Sequence, residues 1–107
     1  MSGAGDSREG TGADARVAHA ADEARIRTEL IGVMIDTIRS RKLTQVHAAK
    51  LCGTDQPTLS KVLRGRMESV TIDKLLSWLA ALGRTVEIEI KPKVDDGVGR
   101  VTLRPIS

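Results

Sequence analysis

LTQVHAAKLCGTDQPTLSKVLRGR, residues 43–66, reads as two short helices with a sharp bend between them. Thr44 is a good N-cap. The helix after it stops at Gly53, whose missing Cβ suits the left-handed backbone that closes a helix. Asp55 caps the next helix, Pro57 sits in its first turn where an absent amide hydrogen costs nothing, and the helix ends at Arg64 before Gly65. Counted from Gln45, the fifth residue is Ala49, small enough for two helices to pack closely, and the ninth is Gly53 at the bend. The fifteenth and eighteenth, Leu59 and Val62, fasten the second helix to a core. This spacing predicts a helix-turn-helix from about Thr44 to Arg66.

Upstream, Ile26, Leu30, Met34 and Ile38 recur every four residues, with Val33 and Ile35 widening the stripe, which predicts a helix over about 22–41. Asp22 is its expected N-cap, and Arg39, Arg41 and Lys42 favour its C-terminal dipole. Residues 1–21, rich in Gly, Ala, Ser and Asp and without apolar periodicity, read as a flexible tail, although the Ala-rich part from Asp14 can extend the helix backwards. Downstream, a helix starts from Thr71 and runs to Leu82 with Ile72, Leu75, Leu76, Leu79 and Leu82 as its apolar face, and Trp78 is expected in the core or a dimer contact. After Gly83 the period changes to two: Val86, Ile88 and Ile90 alternate with Thr85, Glu87, Glu89 and Lys91, as in a strand. Val101 and Leu103 repeat the alternation beyond the turn signal Asp95, Asp96, Gly97, so a hairpin within the chain and pairing between chains are both open. The expected division is a tail over 1–21, a helical domain over 22–83 and a β-strand or hairpin extension over 84–107.

Charge is unevenly spread over the 107 residues, whose net value is +3. Residues 1–23 hold two basic against five acidic side chains, residues 24–82 ten against five. The excess peaks between Arg39 and Arg66, where Arg39, Arg41, Lys42, Lys50, Lys61, Arg64 and Arg66 face only Asp55. Such a block points to a polyanion. Trp78 is the single aromatic residue, and single strands are held mainly by stacking on aromatic rings, so duplex DNA, read through groove edges and phosphates, fits better.

The exposed leading face of a recognition helix meets base edges, and here that face is Gln56, Pro57, Thr58 and Lys61, with Gln56, Thr58 and Lys61 as the expected base contacts. Gln56 matches adenine in two hydrogen bonds, Lys61 reaches guanine, and Thr58 reaches a thymine methyl or a phosphate. Gln45 at a helix N-terminus, with Arg41, Arg64 and Arg66, is the expected phosphate-contacting set. Val86, Ile88 and Ile90 form the expected dimer strand, and pairing of residues 85–91 about a twofold axis would set two recognition helices about one turn, ~34 Å, apart on a pseudo-palindromic operator.

From about Arg25 to Ile90 the chain resembles the lambda-repressor-like, Cro-type or XRE helix-turn-helix family, through the run quoted above and VTIDKLLSWLAALGRTVEIEI after it. Those stretches are especially similar to antitoxins of the HigA and HipB types. The resemblance implies a mainly α domain of four to five helices with a C-terminal strand for dimerisation. It also implies a second motif helix in the major groove, repression of the protein's own promoter and neutralisation of a toxin encoded next to it. One departure is His47, where such proteins often carry the Glu that completes a capping box.

Other chemistries find little purchase. His19 and His47 are far apart, Cys52 stands alone as a small core residue, and no catalytic constellation, metal-ligand spacing or phosphate-cradling glycine loop is present, so neither enzyme activity nor a cofactor is expected. No apolar run suits a membrane span or signal peptide, which makes the cytoplasm the expected location. The expected partners are duplex DNA, a second copy of the chain and a cognate toxin. Two alternatives stand beside this reading: a stand-alone or phage-type repressor with no toxin, and a protein-interaction module that has lost DNA binding.

Overall fold

The computed structural model describes residues 2–66, 70–92, 97 and 99–106, with side chains from residue 20 onward. Four helices follow one another: α1 Ser2–Ser40, α2 Gln45–Cys52, α3 Gln56–Leu63 and α4 Ile72–Ala81. α1 lies against α3 and α4, and α2 crosses both α3 and α4. At their meeting point Leu30, Met34, Leu59, Val62, Leu75 and Leu82 are essentially inaccessible, and Ile26, Ile38, Ala48, Ala49, Val70, Trp78 and Leu79 complete the core. A leucine so placed contributes about 1.5–3 kcal/mol by leaving water, which is why the period-four stripe and the two motif anchors determine the packing. Trp78 is in this core. Cys52 is half-buried against it, its Sγ 3.8 Å from the Trp78 carbonyl, and burial pushes its thiol pKa up, so the thiol stays protonated.

The helix ends obey local chemistry. Thr44 Oγ1 accepts from the His47 amide at 3.0 Å, so the cap forms without a reciprocating glutamate. Gly53 closes α2 at φ 72°, and the Thr54 amide returns to the Ala49 carbonyl at 2.9 Å, which turns the chain in two residues. Lys42, at φ 55°, makes the corresponding left-handed closure of α1, with the Leu43 amide bonded to the Ile38 carbonyl at 3.0 Å. Thr71 Oγ1 accepts from the Lys74 amide at α4.

Two expectations change at α1. The backbone is helical from Ser2, where the composition suggests a tail over 1–21; Ala13, Ala15, Ala18, Ala20, Ala21 and Ala24 are strong helix formers, and extending an existing helix costs far less than nucleating one. Asp22 is therefore inside the helix and is not its N-cap. It is 5% exposed and receives the Val101 amide at 2.9 Å, Arg25 Nη2 at 2.8 Å and Arg100 Nη2 at 3.3 Å. Arg25 in turn donates to the Val101 carbonyl, and Leu103 packs on the core, so residues 99–106 are fastened across α1.

No strand forms among the described residues: 84–92 and 99–106 carry no ladder, although Arg84 donates to the Ile106 carbonyl at 3.2 Å. Residues 84–92, with Val86, Ile88 and Ile90, therefore do not form the expected strand, and 99–106 are held by Asp22 and by side chains. The turn expected at Asp95 and Asp96 lies outside the described residues.

The carboxyl of Asp22 is held below the usual carboxylate range, first by the Val101 amide and then by Arg100 and Arg25. Asp55 and Asp73 are lowered too, by the Thr58 amide and by the Thr71 side chain respectively. A lowered folded value gives stability that is present above the unfolded value, ~3.9, and lost as pH falls through the folded one. We expect acid unfolding to begin below about pH 4, and Asp22→Asn to show a shallower loss there in circular-dichroism melts.

Candidate nucleic-acid interface

α2 and α3 are joined by Gly53, Thr54 and Asp55, and their first turns lie side by side on the surface. Asp55 Oδ1 accepts from the Thr58 amide at 2.7 Å, which fixes the start of α3 and uses the one acid of the basic block inside the cap. Leu59, at 0% exposed, and Val62, equally buried, face inward, with Ser60 beside them. The opposite side of α3 presents Gln56 and Thr58, both half-buried, and the exposed Lys61.

Gln45 is the first residue of α2 and Gln56 the first of α3, and the two side chains are bonded: Gln56 Nε2 donates to Gln45 Oε1 at 2.8 Å. The bond ties the Gln56 amide to Gln45 and leaves one N–H and Oε1 of Gln56 unused, a donor and an acceptor of the kind that N7 and the amino group of adenine match. Gln45 keeps its own amide hydrogens for a phosphate, at the positive end of α2.

Around these groups Arg39, Lys42, Lys50, Lys61, Arg64 and Arg66 are exposed, and among the described residues none is in an ion pair. Among the described residues the ion pairs lie elsewhere, on α1 between Asp22 and Arg27 and in the C-terminal segment. Their separation leaves the positive potential of the α2–α3 face uncompensated.

Arg41 differs from the other expected phosphate contacts. Its Nη1 donates to the Leu82 carbonyl at 2.6 Å, at the C-terminal end of α4, and a Cβ on Gly83 would stand 3.3 Å from it. With Gly83 at φ 98°, the turn after α4 needs glycine for its backbone, and a Cβ there would also press the guanidinium back by a few tenths of an ångström. Sequence spacing puts Arg41 in the basic block, but only the tertiary structure shows a carbonyl 41 residues away as its partner. The glutamine bridge is equally a tertiary feature; its one sequence signal is a glutamine directly after the cap of each motif helix.

Among the described residues no group of His, Cys, Asp and Glu is arranged to hold a metal ion, and no helix is long and apolar enough to cross a membrane.

Comparison with known proteins agrees with this geometry. Residues 13–91 match the family model described as a helix-turn-helix domain. A solved chain whose name proposes it as an XRE family transcriptional regulator superposes with a TM-score of 0.74, covering 81% of this chain and 99% of its own at 26% identity. No curated protein matches the sequence.

Proposed function

From the premise that the chain belongs to the helix-turn-helix domain family, of the XRE type, and so is a DNA-binding transcriptional regulator and not an enzyme, we propose that it reads a specific duplex sequence and represses its own promoter as the antitoxin of a toxin-antitoxin pair. The observation that carries sequence reading is the bond between Gln45 and Gln56, which presents an oriented amide at the start of α3 amid cations without ion-pair partners among the described residues. In this reading Gln56, Thr58 and Lys61 contact bases, while Gln45, Arg64 and Arg66 hold phosphates. Arg41 acts through the end of α4, which it caps. Ala49, Gly53, Leu59 and Val62 keep the two helices in register.

Dimerisation belongs to the same proposal. Val86, Ile88 and Ile90 are 39%, 75% and 90% exposed, and their alternation offers one apolar face on which a second copy can pair. The expected result is a dimer by light scattering at micromolar concentration, reduced to monomer by Ile88→Lys; a wild-type monomer contradicts it.

The promoter claim is tested by titrating the protein against the duplex upstream of its own gene and a scrambled duplex at two salt concentrations. Tighter binding to the upstream duplex is expected. Replacing Arg64 or Arg66 by alanine should weaken both duplexes alike and lower the slope of log affinity against log salt by about 0.9 for each phosphate no longer neutralised. The toxin claim rests on the resemblance and on the acidity of residues 1–23, and it is tested by co-expression and pull-down with the adjacent reading frame. A duplex binder with no such complex is the stand-alone repressor.

A further inference from the structure

Beside the DNA face, between the second half of α1 and the facing parts of α2 and α3, lies a groove of about 320 Å³. Its floor is apolar, formed by Ile35, Ile38 and Leu63, and its rim carries Arg39, Gln45 and Arg64. Ser60 completes the lining. Ser60 is 7% exposed, and its hydroxyl makes no hydrogen bond among the described residues, so it stays open to a ligand from the groove side. Arg39 and Arg64 make no ion pair among the described residues.

An apolar floor between two uncompensated guanidiniums is complementary to a molecule with a hydrocarbon body and one anionic end. Phosphate alone leaves the floor wet; an uncharged hydrocarbon leaves the arginines and Ser60 unanswered. The volume is near the lower bound of ligand pockets, about 300 Å³, which limits the ligand to a short acyl chain or a single ring.

We propose that this groove is an effector site for a small amphiphilic carboxylate, its hydrocarbon on Ile35, Ile38 and Leu63 and its carboxylate held by Arg39, Arg64 and the Ser60 hydroxyl. A guanidinium takes a carboxylate through two parallel hydrogen bonds, which selects this head group over an alcohol. Because Gln45 and Arg64 are also assigned to phosphate, the bound carboxylate and the duplex compete, and the ligand acts as an inducer. This last consequence rests on the reading of α2 and α3 as the DNA face; binding in the groove does not.

The test is a nuclear magnetic resonance titration of the full chain, labelled at its isoleucine and leucine methyls, with octanoate, octanol and inorganic phosphate in turn. Octanoate is expected to shift the Ile35, Ile38 and Leu63 methyls saturably and at least about tenfold more tightly than octanol, with phosphate leaving those methyls in place. Arg39→Ala, at an exposed position, should weaken octanoate about tenfold without changing the melting temperature. Unmoved methyls, octanol as tight as octanoate, or phosphate reproducing the shifts would each overturn the effector site, the last by reducing the groove to a phosphate seat. In a second arm, octanoate should release bound duplex from the wild type. Duplex binding with no methyl response defeats the effector site alone, and a methyl response in a protein that binds no duplex defeats the DNA reading alone.

Discussion

Leu59→Ala is expected to lower the stability of the domain by about 2–5 kcal/mol, the range for emptying a fully buried leucine site. Leu59 is 0% exposed and lies where α3 meets the core formed with α1 and α4, among side chains that are themselves held in place, so little can collapse into the space it leaves. For a domain of this size each kcal/mol moves the melting temperature by about 4–8 °C, so the variant should melt at least roughly 10 °C below the wild type. Since whole domains hold only about 5–15 kcal/mol, much of the population can be unfolded at growth temperature. Lys61→Ala, two residues further along the same helix but exposed, is the control and should change stability by no more than about 0.5 kcal/mol. Equal melting temperatures for the two variants would contradict the inward assignment of Leu59 and with it the orientation of α3.

Gln56→Ala should act on recognition instead. A bidentate side-chain pair with a base discriminates by about 1–3 kcal/mol, so preference for the cognate duplex over one altered at the paired position should fall by roughly 5-fold to 150-fold. Binding to unrelated duplex, which depends on charge, should hardly change. Gln45→Ala should lose part of the same preference through the bond at 2.8 Å, because the Gln56 amide is then free to rotate, and should also give up its hold on a phosphate. The two variants are thus separated by their effect on unrelated duplex, which falls only for Gln45→Ala. Competition binding with labelled cognate duplex measures both quantities. Undiminished preference in Gln56→Ala would remove this residue from base reading.

Much of the fold is legible where neighbouring residues determine it. Caps at Thr44, Asp55 and Thr71, the left-handed closures at Gly53, Gly65 and Gly83, and the period-four stripe of Ile26, Leu30, Met34 and Ile38 are all local signals, and α2, α3 and α4 begin and end close to where these signals put them. The closure of α1 is harder to see, because Lys42 adopts a backbone that glycine or asparagine adopts more readily. Long-range contacts are not legible at all. An aspartate before a helical stripe suggests a cap, and nothing near Asp22 in sequence announces the amide of Val101, 79 residues away, as its partner. In the same way the alternation of Val86, Ile88 and Ile90 is the pattern of a strand, but a ladder needs a partner segment that local sequence does not specify, and none is formed among the described residues. In the candidate site, residue types on α3 can be assigned by helical geometry alone. The bridge from Gln56 to Gln45 depends on the crossing of two helices and becomes visible only when both are placed.

The leading face of α3 is proposed to read base edges in duplex DNA. Selection from a random duplex pool at physiological salt tests it most directly. The expected outcome is enrichment of an inverted repeat with half-site centres about 10 base pairs apart, and loss of one fixed position in each half-site when Gln56→Ala is used in place of the wild type. A pool that stays random with the wild type, or a motif identical for both proteins, would contradict it.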